Sequence, residues 1–236
     1  MGRIIAFASG KGGTGKTTVI ANVAVAASQL GKDVGVLDAD IPMANLALVL
    51  GLGEQDTTIH EVLAGESDLS EAIYTGAEGV KAVPSGMSLN GVRKADPKGV
   101  KDVVKEFSDE VEILLIDCPS GLGEETLMAL QLAEELVLVV MPEITSLSDA
   151  LKTKIVAKRF GVETIGAIIS RASEDEDLDV AFQEVESMLE TSVLGVIPED
   201  PEIRKSITYG EPVVVRKPKS PSGKGIQKIV SELFKD

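Results

Sequence analysis

The chain has 236 residues, of which 44% are hydrophobic, and its formal net charge is −15. This acidity disfavours binding to nucleic acid and to anionic membrane surfaces, because the scattered Lys and Arg residues form no obvious basic patch. A single cysteine, Cys118, excludes a disulfide within the chain and fits a reducing compartment. We expect one cytoplasmic domain spanning residues 1–236, with neither a signal peptide nor an apolar run of transmembrane length.

The apolar runs of the chain predict a parallel sheet. They lie at residues 3–9, 33–38, 79–83, 111–117, 135–141, 162–169 and 193–197. Because they do not alternate with polar residues, they are typical of strands buried on both faces. Helix-like stretches separate them, at residues 16–30, 98–107, 123–132, 145–160, 178–190 and 224–235. This alternation predicts an α/β fold with a doubly wound, mostly parallel sheet flanked by helices.

The last predicted helix has one apolar face at i, i+3, i+4 and i+7, formed by Ile226, Ile229, Val230 and Leu233. We expect this face to pack on the sheet and the preceding stretch, 216–224, to form a loop. A helix on a membrane surface is the alternative. It is disfavoured because Glu232 and Asp236 offset the few basic residues of the helix.

The most specific motif is the run Gly10-Lys11-Gly12-Gly13-Thr14-Gly15-Lys16-Thr17, which satisfies G-x-x-x-x-G-K-[ST] between an apolar strand and a helix. Its glycines let backbone N–H groups approach phosphate oxygens, and the helix that starts near Lys16 points its positive dipole end at the same anion. Lys16 is expected to reach the β- and γ-phosphates, and the Thr17 hydroxyl to ligate Mg²⁺. The motif therefore predicts binding of ATP or ADP with Mg²⁺.

Two further strands end in carboxylates that belong with this loop. The run Ile113–Asp117 has the Walker B pattern, in which Asp117 lies near the metal and contacts it through a bound water. The other strand ends in Asp38-Ala39-Asp40, a pair of carboxylates suited to position or deprotonate the attacking water and to respond to the γ-phosphate. Solvated loop acids are the alternative for this pair.

On these residues the chain resembles the MinD/ParA group of deviant Walker A ATPases, and within it the archaeal MinD-type ATPases. The most specific marks are the additional lysine of the loop, Lys11, and the segment Asp38-Ala39-Asp40. Matching segments cover almost the whole chain, at residues 9–18, 37–52, 59–65, 114–122, 141–159, 196–206 and 209–214. The resemblance implies a P-loop NTPase fold and ATP hydrolysis.

The resemblance also implies residue roles. Two ATP-bound copies would meet face to face, and Lys11 of each would act in trans by stabilising transition-state charge on the nucleotide of the other. Asp40 would be the switch I residue that orients the water, and it would join Thr17 and Asp117 at the Mg²⁺ site. Thr18 would contact the α-phosphate. The segment from Asp117 through Gly121 would form switch II.

The chain departs from the family pattern on the base side. The family often has Asn-Arg after the strand near the adenine, whereas this chain has Ser170-Arg171. A hydroxyl cannot copy the paired donor and acceptor of an amide. We therefore expect base recognition by Arg171 and by the Pro198-Glu199-Asp200 loop, with a preference for ATP over GTP that is less firmly specified than the phosphate contacts.

A second departure concerns the expected dimer face. The Asn-Pro-Glu of the family is replaced by Met141-Pro142-Glu143. Glu143 and the segment from Ser146 to Asp149 are expected to lie near that face.

Three features are not expected to bind a metal. Cys118 lacks the companion cysteines of an iron–sulfur site and fits a small core residue. His60 has no second histidine and is expected at the surface or at a helix start. The acidic run 174–179 lacks the glycine and closing Glu of a calcium loop, so we expect a solvated loop.

Together these features predict an ATP-dependent homodimerisation switch that signals to an unidentified regulatory protein. By resemblance, its task is spatial regulation of cell division or positioning of cellular structures. One alternative, a ParA-type partitioning ATPase that binds DNA non-specifically, is disfavoured by the acidity. The other, a metallochaperone or cofactor-assembly ATPase of the same fold, is disfavoured by the missing Cys and His ligands. Peripheral attachment at the inner face of the cell membrane would need dimer avidity or a partner.

Overall fold

The computed structural model describes residues 2–40, 45–86, 99–173, 175 and 177–235. Its strands are β1 (Arg3–Ala8), β2 (Val34–Asp38), β3 (Tyr74–Thr75), β4 (Lys81–Val83), β5 (Ile113–Asp117), β6 (Glu135–Val140), β7 (Glu163–Ala172) and β8 (Val193–Pro198). They form one sheet in the order β3-β4-β2-β5-β1-β6-β7-β8. Every pair of neighbours is parallel except β3 and β4. The predicted mostly parallel α/β sheet is confirmed, and the two-residue edge strand β3 is an addition.

The described helices are α1 (Lys16–Gln29), α2 (Leu46–Leu50), α3 (Ile59–Leu63), α4 (Leu69–Ala72), α5 (Val100–Asp109), α6 (Glu124–Gln131), α7 (Ile144–Arg159), α8 (Leu178–Leu189), α9 (Pro201–Tyr209), α10 (Val213–Arg216) and α11 (Pro221–Leu233). Six of them match the predicted helical stretches, although residue 98 of one stretch lies outside the described residues. The short helices α2, α3, α4, α9 and α10 were not predicted.

The expected loop at 216–224 is wrong at both ends. Arg216 closes α10, and α11 begins at Pro221. The Ser220 side chain accepts a hydrogen bond from the Gly223 N–H and so caps α11, while proline is favoured at the first helical position. The cap therefore starts the last helix three residues earlier than its apolar pattern indicated.

Both faces of the sheet are covered by helices. On β1, Ile4, Ala6 and Ala8 face the layer formed by α3 to α8, whereas Ile5 and Phe7 face the layer formed by α1, α2, α10 and α11. Successive side chains of a strand point to opposite faces, so a sheet buried on both sides needs apolar residues at every position. This is why the strand runs do not alternate with polar residues.

The last helix packs as expected. The four side chains of its apolar face are at most 6% exposed and belong to the core on the α1 side of the sheet. Gly195 on β8 makes room for them, since a Cβ there would lie 2.7 Å from the Ile229 side chain. This packing leaves the apolar face unavailable to a membrane surface. None of the described helices is long and apolar enough to cross a membrane.

His60 lies in the first turn of α3, which is one of the two positions expected for it, and it is fully buried rather than at the surface. A capping box forms this turn: the Thr58 hydroxyl accepts the His60 N–H, and the Glu61 carboxylate accepts the Thr58 N–H at 2.8 Å. Burial acts in the opposite direction, but the hydrogen bonds from Thr58 hold the pKa of Glu61 below its ordinary value. The turn buries His60 because α3 packs on the core through Ile59 and Leu63.

The topology brings several loops together at the carboxyl ends of the parallel strands, which form one edge of the sheet. From β1 the chain passes to β2, β4 and β5 on one side and then to β6, β7 and β8 on the other. In open α/β sheets, ligands bind outside the carboxyl ends of the strands where the order reverses. The segments that follow β1, β2, β5, β7 and β8 meet at this edge.

Gly51 at the end of α2 and Gly210 at the end of α9 allow the two helices to approach each other closely. Two matched substitutions test this contact, one at Gly51 and one at Gly53, where a Cβ would have no neighbour within 4 Å among the described residues. Gly51 and Gly53 have nearly the same left-handed backbone, with φ of +66° and +65°, but only a Cβ at Gly51 would overlap the Gly210 carbonyl. We expect Gly53→Ala to lower the free energy of unfolding by about 1–2 kcal/mol through backbone strain. Gly51→Ala should cost about 1–3 kcal/mol more through the clash. Urea unfolding measures both, and equal losses would contradict the close contact.

Candidate nucleotide-binding site

The glycine-rich run forms the loop between β1 and α1. Gly13 and Gly15 have φ of +83° and +80°, in the left-handed region that favours glycine. Gly10 packs directly on α7, because a Cβ there would overlap the backbone of Asp149. Helix α1 begins at Lys16 after Gly15, an N-cap residue that has no side chain to cap the helix. The loop is therefore held at the positive end of a helix, where a phosphate group can bind.

A cavity of about 450 Å³ lies over this loop, and we call it the phosphate cavity. It is lined by the continuous segment Gly12–Thr18, by Asp40 and Asn45 after β2, and by Ser120 after β5. The structure therefore brings the predicted Thr17, Thr18 and Asp40 together with the glycine-rich loop.

A buried ion pair between Lys16 and Asp117 lies beside this cavity. The two side chains are 7% and 1% exposed. Burial by itself disfavours the ammonium, but the Asp117 carboxylate outweighs it, and the pKa of Lys16 is raised above its ordinary value. Lys16 is thus charged in the nucleotide-free protein and neutralised by the residue predicted to lie near the metal.

The site also fits Mg²⁺. The second oxygen of Asp117, Oδ2, is buried and has no hydrogen-bond partner. Thr17 and Asp40 supply further oxygen atoms at the phosphate cavity. Mg²⁺ binds oxygen ligands and usually takes one or two carboxylates together with phosphate oxygens and waters. Among the described residues, no group of three or more His, Cys, Asp or Glu could hold a metal ion by itself, so phosphate oxygens and waters would have to complete the ligands of Mg²⁺.

The two carboxylates after β2 lie in different environments. Asp38 is 1% exposed, and its oxygens accept the N–H groups of Asp40 at 3.1 Å and of Leu46 at 3.4 Å. Burial, and then the nearby Asp117 carboxylate, raise the pKa of Asp38 to about 8. Asp40 is half-buried and lines the phosphate cavity. Asp38 therefore shapes the loop that presents Asp40, and the alternative of a solvated loop acid is wrong for Asp38.

Lys11 lies outside the lining of the phosphate cavity. Its side chain is 42% exposed, and its Nζ lies 3.2 Å from Oε2 of Glu143, the N-cap residue of α7. The next residue, Ile144, is 76% exposed. Lys11 thus extends over the protein surface, away from the cavity that its own loop forms.

Two other residues expected near the dimer face, Ser146 and Asp149, make their contacts within the protein. Ser146 is 2% exposed, and its Oγ accepts the Met141 N–H at 3.0 Å. The backbone of Asp149 packs on Gly10, and its carboxylate accepts a hydrogen bond from the Lys152 ammonium at 2.8 Å. Within this group Glu143 is the exposed member that contacts Lys11.

A second cavity of about 630 Å³ adjoins the first, and we call it the base cavity. The two cavities share Thr14, Gly15, Thr18 and Ile207. The ends of β7 and β8 and one side of α9 form its walls, which include the predicted residues Arg171, Pro198 and Asp200 as well as Ser170. A nucleotide whose phosphates occupy the phosphate cavity would place its base here.

The predicted base-side residues also have partners within the protein. Arg171 has a positive φ of 55°, and its guanidinium donates to the Gly13 carbonyl at 3.0 Å. Asp200 is the N-cap residue of α9 and accepts the Glu202 N–H at 2.9 Å and the Ser222 hydroxyl at 2.7 Å. Burial acts in the opposite direction, but these hydrogen bonds lower the pKa of Asp200 below its ordinary value. Both residues therefore have structural roles at the cavity.

Sequence reasoning missed α9 as a wall of the base cavity. Its signals were present: Asp200 is a favoured N-cap residue, Pro201 is favoured at the first helical position, and Ile203 and Ile207 lie one turn apart. These helix signals were overlooked because residues 198–200 were interpreted as a loop that recognises the base.

The remaining candidates behave as core or solvated residues. Cys118 is fully buried, as expected, and burial raises the pKa of its thiol to about 12. In the acidic run, Glu174 and Glu176 lie outside the described residues. Asp177 is exposed and caps α8 by accepting the N–H groups of Asp179 and Val180.

Sequence comparison finds relatives over the whole chain. The family model described as "ParA: NUBPL iron-transfer P-loop NTPase" matches residues 1–234. The chain is 50% identical over 230 residues to an uncharacterised ATP-binding protein of Methanocaldococcus jannaschii, which covers 98% of this chain and 87% of that protein.

Solved structures of similar proteins share the fold. The cell division ATPase MinD of Pyrococcus furiosus is 42% identical, with a TM-score of 0.95 over 100% of this chain and 99% of that one. The septum site-determining protein MinD of Pyrococcus horikoshii, solved with Mg-ADP, is 40% identical, with a TM-score of 0.94 over 100% and 97%. A MinC:MinD complex of Aquifex aeolicus matches at 27% identity and a TM-score of 0.87 over 99% and 96%. Homologues of this chain thus bind Mg-ADP in one case and MinC in another.

The buried ion pair predicts a non-additive mutant cycle in the nucleotide-free protein. Lys16→Met should lower the free energy of unfolding by about 3–5 kcal/mol, because it leaves the Asp117 carboxylate buried and unpaired. Asp117→Asn should also be destabilising, since it leaves a buried ammonium. The double variant should lose less than the sum of the two single losses. Urea unfolding without nucleotide measures all four proteins, and additive losses would show that the pair is not coupled.

Proposed function

Since the chain belongs to the MinD/ParA family of P-loop ATPases, we propose that it hydrolyses ATP with Mg²⁺ and that ATP drives it to form a homodimer. ATP closes the dimer, hydrolysis opens it, and a regulatory protein senses the difference through the segments that follow β2 and β5.

The position of Lys11 carries this proposal. A lysine that stabilises phosphate charge within its own site would line the phosphate cavity, as the neighbouring residues Gly12 and Gly13 do. Lys11 instead extends over the surface to Glu143, next to the exposed Ile144. The phosphate group that it serves therefore belongs to a second copy of the chain, which makes each site complete only in the dimer.

Nucleotide binding exchanges one set of charge partners for another. The buried Lys16 ammonium leaves Asp117 and binds the β- and γ-phosphates, whose oxygens supply the negative charge that the carboxylate supplied before. Asp117 and the Thr17 hydroxyl would then be available to hold Mg²⁺. Bound Mg²⁺ neutralises charge on the β- and γ-phosphate oxygens.

Hydrolysis then requires an oriented water and a source of positive charge opposite it. Asp40 lines the phosphate cavity and is held in place through its N–H by the buried Asp38. It orients the attacking water, while Lys11 of the partner stabilises the charge that develops on the transferred phosphoryl group. The water oxygen bonds to the γ-phosphorus while the bond from this phosphorus to the β–γ bridging oxygen breaks. ADP is the leaving group, and the two protons of the water go to inorganic phosphate and solvent.

The cellular role that we propose is spatial regulation of cell division or positioning of cellular structures. It rests on the similar proteins, whose names refer to cell division and septum-site determination. The MinC-bound homologue supports a regulatory protein as partner. Thus the chain would act as a MinD-type switch whose partner recognises the ATP-bound dimer.

Cofactor assembly is a second candidate, because the matching family model is described as an iron-transfer NTPase. The environment of Cys118 opposes it. This thiol belongs to the single cysteine of the chain and is fully buried, so it does not supply the set of accessible thiolates that holds an iron centre. The dimerisation switch is therefore the better supported function.

The trans role of Lys11 predicts a selective loss. Lys11→Ala should bind Mg-ADP about as tightly as the wild type, because its side chain lies outside the phosphate cavity. It should lose ATP-driven dimerisation, measured by light scattering, and about 1,000-fold or more in turnover, in the range of a lost charge-stabilising finger. Lys32→Ala, which removes another surface lysine paired with a carboxylate, is the control. Normal hydrolysis by Lys11→Ala would refute the trans role.

The role of Asp40 predicts the opposite effect on the dimer. Asp40→Ala should slow hydrolysis by about 100-fold or more, since a water-orienting group is lost. The ATP-bound dimer should consequently persist, which size-exclusion chromatography after ATP addition would show. Asp33→Ala removes an exposed carboxylate at the start of β2 and should change neither property. A variant that stays monomeric with ATP would contradict the assignment of Asp40 as the hydrolytic switch.

A further inference from the structure

We propose that the Ser120 hydroxyl donates a hydrogen bond to the terminal phosphate of a bound triphosphate, so that this side chain helps the site to distinguish ATP from ADP. This inference rests on the proposed function, because it names a further ligand of the same nucleotide. It follows from where the terminal phosphate must lie and from which groups beside it have a donor to offer.

The two cavities determine which end of the site holds the terminal phosphate. A nucleotide with its base in the base cavity passes the residues that the two cavities share with its first phosphate. The later phosphates then lie among residues that line the phosphate cavity alone. These residues include Gly12, Asp40 and Ser120. Ser120 is therefore beside the end of the phosphate chain.

The backbone around Ser120 has its other donors engaged. The N–H groups of Cys118 and Gly121 each donate, at 3.1 Å, to a carbonyl at or just after the end of β1. Pro119 between them has no N–H. Among the residues that the structure describes, the N–H and the hydroxyl of Ser120 have no hydrogen-bond partner. Within residues 118–121, Ser120 thus has the donors that a ligand can use.

The side chain of Ser120 faces the glycine-rich loop. It is exposed, and a Cβ added at Gly12 would lie 3.5 Å from its Oγ and 4.0 Å from its Cβ. No other described residue comes within 4 Å of that added atom. Because Oγ is nearer than Cβ, the hydroxyl is directed towards the loop. It therefore lies on the side of the phosphate cavity where the loop can hold a phosphate against it.

The segment that carries Ser120 is held on both sides. Before it, the Thr126 hydroxyl in α6 donates to the Pro119 carbonyl at 3.2 Å, and after it the Gly121 N–H donates to the Ser9 carbonyl. Gly121 has a φ of +81°, a left-handed conformation that glycine adopts without strain. A donor on a segment fixed in this way loses little conformational freedom when it binds a phosphate.

A hydroxyl in this position distinguishes a triphosphate from a diphosphate. A hydrogen bond from an O–H group to a charged phosphate oxygen is about twice as strong as one between neutral groups. ADP ends one phosphate earlier, so its binding forms no such bond with Ser120. The backbone N–H groups of the loop, by contrast, bind the α- and β-phosphates that ATP and ADP share. The Ser120 hydroxyl therefore adds to the affinity for the triphosphate alone.

Calorimetry of the full chain with Ser120→Ala tests this inference. Mg-ADP and the Mg²⁺ complex of an ATP analogue with a non-hydrolysable β–γ imido bridge are titrated separately. The parent and the variant both carry Lys11→Ala, so that the proposed dimerisation does not add to the measured affinity. We expect Ser120→Ala to raise the Kd of the analogue about tenfold or more, in the range of one hydrogen bond to a charged group, and to leave the Kd of ADP within about twofold.

Two further variants in the same parent make the comparison specific. Ser120→Thr keeps a hydroxyl at this exposed position, so the ratio of the two dissociation constants should stay within about threefold of the parent ratio. Ser231→Ala removes another exposed serine hydroxyl, which donates to the Gln227 carbonyl within α11, and should change neither constant.

The outcomes separate this inference from the proposed function. An equal rise of both dissociation constants in Ser120→Ala would show that the serine only supports the segment after β5. No rise in either would show that its hydroxyl does not bind the terminal phosphate. Each of these results would overturn the inference and leave the proposed function standing. If the Lys11→Ala parent binds neither nucleotide, the proposed function is overturned instead.

Discussion

The ion pair between Lys16 and Asp117 is the interaction on which the site depends. Each partner is almost fully buried and would be costly to hold charged alone. The pair ties the start of α1 to the end of β5. Burial and the Asp117 carboxylate raise the pKa of the neighbouring Asp38 to about 8, which favours its neutral form beside the pair. A bound phosphate group can take the place of the Asp117 carboxylate as the anion that pairs with Lys16. This exchange explains why the N-terminus of α1 and two acidic strand ends meet at one point.

The two cavities differ in chemistry: the phosphate cavity is charged and polar, whereas the base cavity is mainly apolar. The phosphate cavity presents a helix N-terminus, a buried ammonium and oxygen atoms suited to Mg²⁺. The base cavity presents mainly apolar side chains, and polar groups such as Ser170 and Asp200 are engaged with the protein. We therefore expect the phosphates to contribute most of the binding free energy.

The surface around Lys11 completes this arrangement. The Lys11–Glu143 pair is exposed on both sides, so solvent screens it and little free energy holds the lysine in place. A lysine that is weakly held at the surface, beside an exposed isoleucine, can move to a phosphate group presented by another copy. The close packing of Gly10 on Asp149 keeps α7, and with it Glu143, at a fixed distance from the glycine-rich loop. In the proposed dimer, one loop would therefore serve its own nucleotide with Lys16 and a second nucleotide with Lys11.

The sequence by itself determined the sheet and the phosphate loop. Apolar runs on both faces permit little except a covered parallel sheet, and the glycine spacing with Lys16 and Thr17 has one common physical use. Tertiary structure decided the rest. Helices of four to nine residues, such as α2, α9 and α10, are too short to form alone and exist through packing. Asp38 and Asp40 look equivalent in sequence. The surrounding strands, which only the tertiary structure brings together, bury Asp38 and leave Asp40 at the phosphate cavity. Similarly, His60 is buried because α3 packs on the core, and Ser170 is engaged because the fold brings two distant carbonyls to its hydroxyl, which no local pattern records.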